Sequence, residues 1–165
     1  MQKNIIGIFL GAAALGIVLL LAGGDVSGVS SGSSQNGTGS LTVVDSNYFD
    51  FGTISMSSGV VSHKFVLKNV GASPVVIRKF YTSCMCTSAT LQIAGERFGP
   101  FGMRGHGIIP RVDQTLDLGD EAIVDVVFDP AAHGPAGVGQ VNRVVTIEND
   151  ANNPVELKFH AIVTP

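Results

Sequence analysis

The fold is decided by a stretch near the end of the chain, Leu157-Lys158-Phe159-His160-Ala161-Ile162-Val163. Its side chains alternate, so that leucine, phenylalanine, alanine and valine point one way while lysine, histidine and isoleucine point the other. An alternation of period two is typical of a β-strand with one buried face. Residues 121–128 follow the same pattern, with Ile123 and Val127 as apolar exceptions on the second face, and this predicts a central strand.

Short β-rich runs separated by turn residues fill the rest of the region that begins at Leu41. The chain has 21 glycines, 9 phenylalanines and no tryptophan, which indicates many turns and a core of phenylalanine and valine. We therefore predict an all-β fold, an immunoglobulin-like antiparallel β-sandwich. Strands are expected at residues 41–44, 48–53, 60–69, 74–82, 87–93, 121–128, 141–149 and 155–164.

The first residues predict one N-terminal transmembrane helix in front of this sandwich. Residues 5–22 are uninterrupted apolar sequence, and as a helix they would span roughly 27 Å, close to the hydrocarbon thickness of a bilayer. Lys3 before this stretch and Asp25 after it place the N-terminus in the cytoplasm and the folded domain outside. A cleaved signal peptide is the alternative, although the apolar stretch is longer than usual and no good cleavage site follows it.

Three segments are therefore expected. Residues 1–24 form a membrane anchor or an uncleaved signal, residues 25–40 form a flexible serine- and glycine-rich linker, and residues 41–165 form the sandwich, with an insertion at about 95–115. This organisation predicts a single-pass, extracytoplasmic protein of the cell membrane. Its expected partners are the membrane, through the N-terminal helix, and envelope proteins.

Charge and motifs argue against several classes of function. Charged residues make up 14% of the chain and the net charge is -3, so no broad basic face is available for nucleic acid. Hydrolase and phosphate-binding motifs are absent from the sequence. We therefore expect a protein that does not bind nucleic acid and is not an enzyme.

Several motifs occur in a familiar order across residues 43–164. They are Phe49-Asp50-Phe51-Gly52-Thr53-Ile54, Val61-Ser62-His63-Lys64-Phe65-Val66-Leu67-Lys68-Asn69-Val70-Gly71, Cys84-Met85-Cys86-Thr87, Leu118-Gly119-Asp120-Glu121, Val127-Phe128-Asp129-Pro130 and Asn149-Asp150 followed by Pro154. Together they resemble a bacterial extracytoplasmic family of unknown function (domain of unknown function 1573), related to the ASH, Hydin and major sperm protein immunoglobulin-like domains. The resemblance implies an immunoglobulin-like fold and a noncatalytic binding role.

The chain departs from the pattern of that family at two places. The family usually has Cys-Gly-Cys-Thr, whereas Met85 replaces the glycine here. The connection that follows is usually short, whereas this chain inserts residues 96–107. Both departures add sulfur or imidazole groups.

The Cys-x-Cys pair is the main candidate for chemistry. The chain has no other cysteine, so the pair indicates local sulfur chemistry rather than a stabilising cross-link between distant segments. Thiolate, thioether and imidazole ligands together favour copper, particularly Cu(I), or zinc. We predict a soft-metal site, with copper as the expected metal, formed by Cys84, Cys86 and His133 with Met103 and His106 from the insertion.

Strand order predicts where these residues lie. In a sandwich whose strands alternate in direction, the connections that hold Met56, the cysteine pair and His133 fall at the same end. The insertion begins at the opposite end. However, its nineteen residues from Arg97 to Thr115 reach roughly 60 Å when extended, and a strand is roughly 20 Å tall, so it is long enough to return.

Two other functions stay open. Cys84 and Cys86 could form a disulfide if the segment bends, because residues i and i+2 of an extended strand lie about 6.5–7 Å apart, and the pair would then carry thiol–disulfide exchange. Alternatively, the domain is an interaction module of the cell envelope that recruits another protein through its sheet edges. Outside these sites, we expect His63 to be a partly buried strand residue and His160 to be exposed to solvent.

Overall fold

The computed structural model describes residues 38–105, 109, 111–151 and 153–165. The predicted membrane anchor at residues 1–24 and most of the predicted linker lie outside this range. Within the described residues, no helix combines the length and the apolar character needed to cross a membrane.

The described part of the chain consists of ten strands and two short 3₁₀ helices. The strands are β1 (Leu41–Val43), β2 (Tyr48–Ser55), β3 (Val61–Asn69), β4 (Val75–Thr82), β5 (Thr87–Ile93), β6 (Glu96–Phe101), β7 (Arg111–Leu116), β8 (Glu121–Phe128), β9 (Gly139–Asn149) and β10 (Val155–Thr164). The 3₁₀ helices are Met56–Ser58 and Gly134–Gly137.

The strands form two five-stranded sheets. The first sheet has the order β1-β3-β8-β5-β6, and the second has the order β2-β10-β9-β4-β7. This arrangement confirms the predicted all-β sandwich, and β8 is central in its sheet, as its two apolar faces predict. One strand pair differs from the prediction of a wholly antiparallel fold. The chain changes sheets between β1 and β2, and β2 then runs parallel to β10.

The core lies between the two sheets and follows the alternation of the strands. In β10 the residues Leu157, Phe159, Ala161 and Val163 are all buried, as their period of two predicts. The largest fully buried side chains are Phe80, Phe128, Phe159, Leu67, Ile77, Leu91, Leu116, Ile147, Leu157, Val75, Val124 and Val126. Apolar side chains from both sheets therefore supply most of the stabilising burial.

The insertion contributes two strands that the sequence did not predict. A two-residue turn at Ala94-Gly95, with positive φ at both positions, joins β5 to β6 in a hairpin. After the connection that follows β6, β7 adds to the other sheet beside β4. Because β6 runs antiparallel to β5, it returns the chain towards the end of the sandwich at which β5 begins.

Candidate functional site

The cysteine pair lies in the turn that connects β4 in the second sheet to β5 in the first. Two fully buried threonines hold this turn. The hydroxyl of Thr82 lies 2.9 Å from the carbonyl oxygen of Cys84 and 3.0 Å from that of Thr87, so its proton can be donated to either. The backbone N–H of Thr87 donates to the carbonyl of Cys84 over 3.1 Å. The hydrogen bonds that hold the turn are therefore made by two threonines that are buried from solvent.

The two cysteine sulfurs are bonded to each other. The segment bends so that the Cα atoms of Cys84 and Cys86 lie 5.3 Å apart, within the range of a disulfide. Both residues are buried among the core side chains of the sandwich. Between them, Met85 is 60% exposed. The structure thus places the two sulfurs at disulfide distance, in a bent segment with one side facing solvent.

His133 reaches the cysteine pair from the segment between β8 and β9. Asp129 begins this segment, donating its backbone N–H to the carbonyl of Cys86 over 2.9 Å and accepting the N–H of Ala131 on its carboxylate over 2.9 Å. The imidazole Nε2 of His133 then lies 3.1 Å from Sγ of Cys84. Candidate ligand atoms of Cys84, Cys86 and His133 all lie within 4.8 Å of one another.

The backbone at Gly137 lies close to both His133 and Met56, so these two residues lie at the same end of the fold as the cysteine turn. A Cβ atom at position 137 would lie 3.2 Å from Cβ of His133 and 3.4 Å from the methyl carbon of Met56. The connections after β2 and β8 therefore meet at the same end, as the strand order predicts. Met56 packs against the hydrophobic core with its side chain partly buried.

Arg143 is the site residue that sequence reasoning missed. It lies on β9, and its Nε donates to Sγ of Cys86 over 3.3 Å, while its Nη1 donates to the carbonyl of Asn142 over 2.9 Å. The hydroxyl of Thr87 lies 3.7 Å from the same sulfur. Because an arginine in a strand is usually a solvent-facing residue, no local signal distinguishes this one.

The insertion reaches the cysteine turn, as its length allows. The backbone N–H of Thr82 donates to the carbonyl of Gly102 over 3.0 Å, and Met103 forms an isolated parallel bridge with Thr82. Met103 therefore lies beside Thr82, the last residue of β4, which directly precedes the cysteine turn. His106, the second predicted ligand of the insertion, falls outside the described residues.

The remaining two described histidines have other surroundings. His63 is half-buried and stacks on Phe49, with ring centroids 3.6 Å apart, and burial lowers its pKa. His160 does not match the prediction of solvent exposure, because its side chain is only 13% exposed and its Nδ1 lies 3.0 Å from Oδ1 of Asp50. The pKa of the Asp50 carboxyl is lowered, mainly by the hydrogen bond from the backbone N–H of Gly52 and then by the hydrogen bond with His160. Neither histidine belongs to the cysteine site.

Fold and site together define a class: an immunoglobulin-like β-sandwich that carries a Cys-x-Cys pair at a connection between its sheets. Residues 42–95 match the model of the family described as "Protein of unknown function (DUF1573)". This match confirms, over that segment, the resemblance predicted from the motifs. No curated protein matches the chain.

Solved structures share the fold at low sequence identity. A protein of unknown function from Porphyromonas gingivalis has a TM-score of 0.53 and 16% identity, with 76% of this chain and 46% of that chain covered. A family 123 glycoside hydrolase from Clostridium perfringens has a TM-score of 0.52 and 8% identity, with coverages of 76% and 27%. The ASH/PapD-like domain of human CEP192 has a TM-score of 0.43 and 14% identity, with coverages of 77% and 85%. The chain thus spans less than half the length of the first two proteins, and only the likeness to these two bears on the fold.

Proposed function

We propose that this protein is a membrane-tethered, extracytoplasmic domain that binds a soft metal ion, Cu(I), when its cysteine pair is reduced. The observation that carries the proposal is the convergence of two cysteine sulfurs and one imidazole nitrogen within 4.8 Å of one another. Two thiolates and one imidazole form a donor set that suits Cu(I) better than calcium or magnesium. The disulfide is then the metal-free, oxidised form of the same site.

The neighbourhood of the pair supports this donor set. Cys84 and Cys86 come from one turn, so both thiolates are presented without any rearrangement of the sheets. His133 comes from a different connection and already contacts Cys84. Met103 and His106, from the insertion, are the proposed additional ligands, and the bridge between Met103 and Thr82 brings the insertion to the turn.

The location outside the cytoplasm rests on the sequence. The apolar stretch at residues 5–22 is the proposed anchor, and the bias from Lys3 to Asp25 directs the domain outwards. Disulfides persist in oxidising compartments and are rare in the cytosol, so an oxidised Cys84–Cys86 pair agrees with this direction.

Copper loading of the full chain tests the proposal. Detergent-solubilised protein, reduced and then freed of reductant under anaerobic conditions, is titrated with Cu(I) against a chromophoric chelator, and about one or two ions per chain are expected. Cys84→Ser combined with Cys86→Ser should abolish retention, and His133→Ala should weaken it. His160→Ala is the matched control for the histidine variant, because His160 pairs with Asp50 away from the cysteine site and its loss should leave copper binding as in the wild type. Equal copper retention by the double serine variant would overturn the proposal.

Thiol–disulfide exchange is a second candidate, favoured by a different observation. The sulfurs are bonded to each other, and each has its own polar neighbour, His133 at Cys84 and Arg143 at Cys86. Such neighbours stabilise a thiolate and thereby favour reversible exchange. Incubation with reduced glutathione should release two titratable thiols per chain, and a disulfide that stays closed would eliminate this candidate.

A further inference from the structure

We propose that the two sulfurs of the Cys84–Cys86 disulfide have different and fixed roles. Cys84 is the sulfur that an incoming thiolate attacks, and Cys86 is the sulfur that leaves, held as a thiolate by Arg143. The inference rests on the proposed exchange function and assigns Arg143 as the positioning residue that directs it.

The two sulfurs differ in the charge of the groups that contact them. Cys86 accepts a hydrogen bond from Nε of Arg143 over 3.3 Å, and a guanidinium keeps its positive charge at every physiological pH. Cys84 accepts the neutral backbone N–H of Cys86 over 3.3 Å and contacts the imidazole of His133. A hydrogen bond from an ionised donor is roughly twice as strong as a neutral one. Developing negative charge is therefore stabilised more at Cys86 than at Cys84.

Burial strengthens the interaction between the guanidinium and the sulfur of Cys86. Arg143 is half-buried and Cys86 is 3% exposed, so the charge of the guanidinium is screened less there than at an open surface. Thr87 adds a hydroxyl 3.7 Å from the same sulfur. The sulfur that forms the more stable thiolate is the better leaving group in exchange.

The two cysteines also differ in their exposure to solvent. Cys84 is 8% exposed and lies between the exposed residues Ser83 and Met85, whereas Cys86 leads directly into the buried start of β5. His133, which contacts Cys84, is itself exposed. A thiol approaching from solvent therefore meets Cys84 first.

The sulfur of a thiolate reductant forms a bond to Sγ of Cys84, the bond between the two cysteine sulfurs breaks, and its electron pair remains on Sγ of Cys86 beside Arg143. A second thiolate then attacks the reductant's sulfur in this mixed disulfide. It forms the reductant's own disulfide and leaves Cys84 as a thiolate that takes up a proton. The protein gains two electrons and two thiol molecules are oxidised.

Mapping of the mixed disulfide tests the assignment. The oxidised full chain in detergent is incubated briefly with reduced glutathione, quenched with acid and alkylated. Fragmentation of the peptide between residues 84 and 86 then locates each group by mass spectrometry. Glutathione is expected on Cys84 and the alkyl group on Cys86, with a preference on the order of tenfold, as the loss of one charge-assisted hydrogen bond would give.

Variants of Arg143 separate its role from a purely structural one. Arg143→Gln should slow glutathionylation by about tenfold and weaken the preference for Cys84, while Arg143→Lys should restore part of both. Arg104→Gln is the matched control, because Arg104 bonds Glu148 and lies over the ring of Tyr81, with no contact to either cysteine.

The outcomes are distinguishable. Two results would overturn the assigned roles of the two sulfurs without affecting the exchange function. One is glutathione bound mainly to Cys86, and the other is an unchanged preference for Cys84 in a folded Arg143→Gln variant. Absence of any exchange in the wild-type chain would remove the exchange function and the assignment together. If Arg143→Gln does not fold, the wild-type map and the lysine variant decide the question.

Discussion

The three histidines in the described part of the chain show how neighbours decide the chemistry of a residue. His133 meets a cysteine sulfur, His63 stacks on an aromatic ring, and His160 pairs with a carboxylate. In the sequence, the three histidines differ only in whether they belong to an alternating strand pattern or to a turn. Residue type alone therefore identifies a possible ligand, and the contact decides which role it has.

His63 should make the stability of the domain depend on pH. Burial lowers its pKa in the folded state, so the unfolded chain binds the proton at a higher pH than the folded chain does. The contribution of His63 to the free energy of unfolding is fully present above about pH 6.5. It is lost as the pH falls from there through the pKa of His63 in the folded state.

Urea unfolding from about pH 7.5 to pH 5.5 measures this effect. His63→Phe keeps an aromatic ring beside Phe49 and Phe65 and should show a smaller loss of unfolding free energy over this range. A variant whose profile runs parallel to that of the wild type would contradict the prediction.

At the scale of elements, the connections between strands are stabilised by single buried side chains. Asn69, the last residue of β3, is completely buried and holds the connection that follows it. Its Nδ2 donates to the carbonyls of Ser73 and Leu116 over 2.9 and 3.0 Å, and its Oδ1 accepts the N–H of Gly71 over 3.0 Å. Thr82 has the same role at the cysteine turn. Both residues donate side-chain hydrogen bonds to backbone carbonyls at strand ends and in the connections.

Asn69→Ala should lower the free energy of unfolding by about 2–3 kcal/mol, because it leaves the buried carbonyl of Leu116 without this donor and each such loss costs about 1–3 kcal/mol. Asn47→Ala is the control. Asn47 is exposed and donates one side-chain bond to Glu156, so a change within about 0.5 kcal/mol is expected. Chemical denaturation compares the two, and equal losses would count against the role of Asn69.

For the molecule as a whole, the insertion is part of the core rather than an appendage. It places Phe101 from β6, together with Val112 and Leu116 from β7, among the buried side chains. One strand extends the first sheet and the other extends the second. Phe101 packs near Phe80 of the second sheet, with ring centroids 5.3 Å apart. The insertion therefore closes the sandwich as well as reaching the cysteine turn.

Phe101→Ala should lower the free energy of unfolding by about 3–5 kcal/mol, the usual cost of truncating a buried phenylalanine. Phe101 is 5% exposed, whereas Leu118, in the connection after β7, is 52% exposed. Leu118→Ala should therefore change stability by no more than about 0.5 kcal/mol. Thermal and urea unfolding measure both, and a small effect of Phe101→Ala would mean that the insertion is dispensable for folding.

The class of fold and eight of the ten described strands could be predicted from the sequence. Alternation in residues 121–128 and 157–163 is a local pattern, and a strand that buries one face must show it whatever its partners are. The sequence left a disulfide between the cysteines open as an alternative, because residues two positions apart can pair only if the segment bends, and the structure shows that bend. The end at which Met56, the cysteine pair and His133 meet follows from strand order alone. The strand β6 was not predicted because Gly99-Pro100 interrupts its alternating pattern.

Which sulfur each neighbour contacts, and the presence of Arg143, became known only from the packing of the sheets. Arg143 lies 57 positions from Cys86 and His133 lies 49 positions from Cys84, so neither contact leaves a periodic signal in the chain. Such contacts depend on which strand of one sheet faces which connection of the other, and on how the sheets pack. The sequence placed reactive groups at one end of the sandwich, and packing decided that a guanidinium meets one sulfur and an imidazole the other.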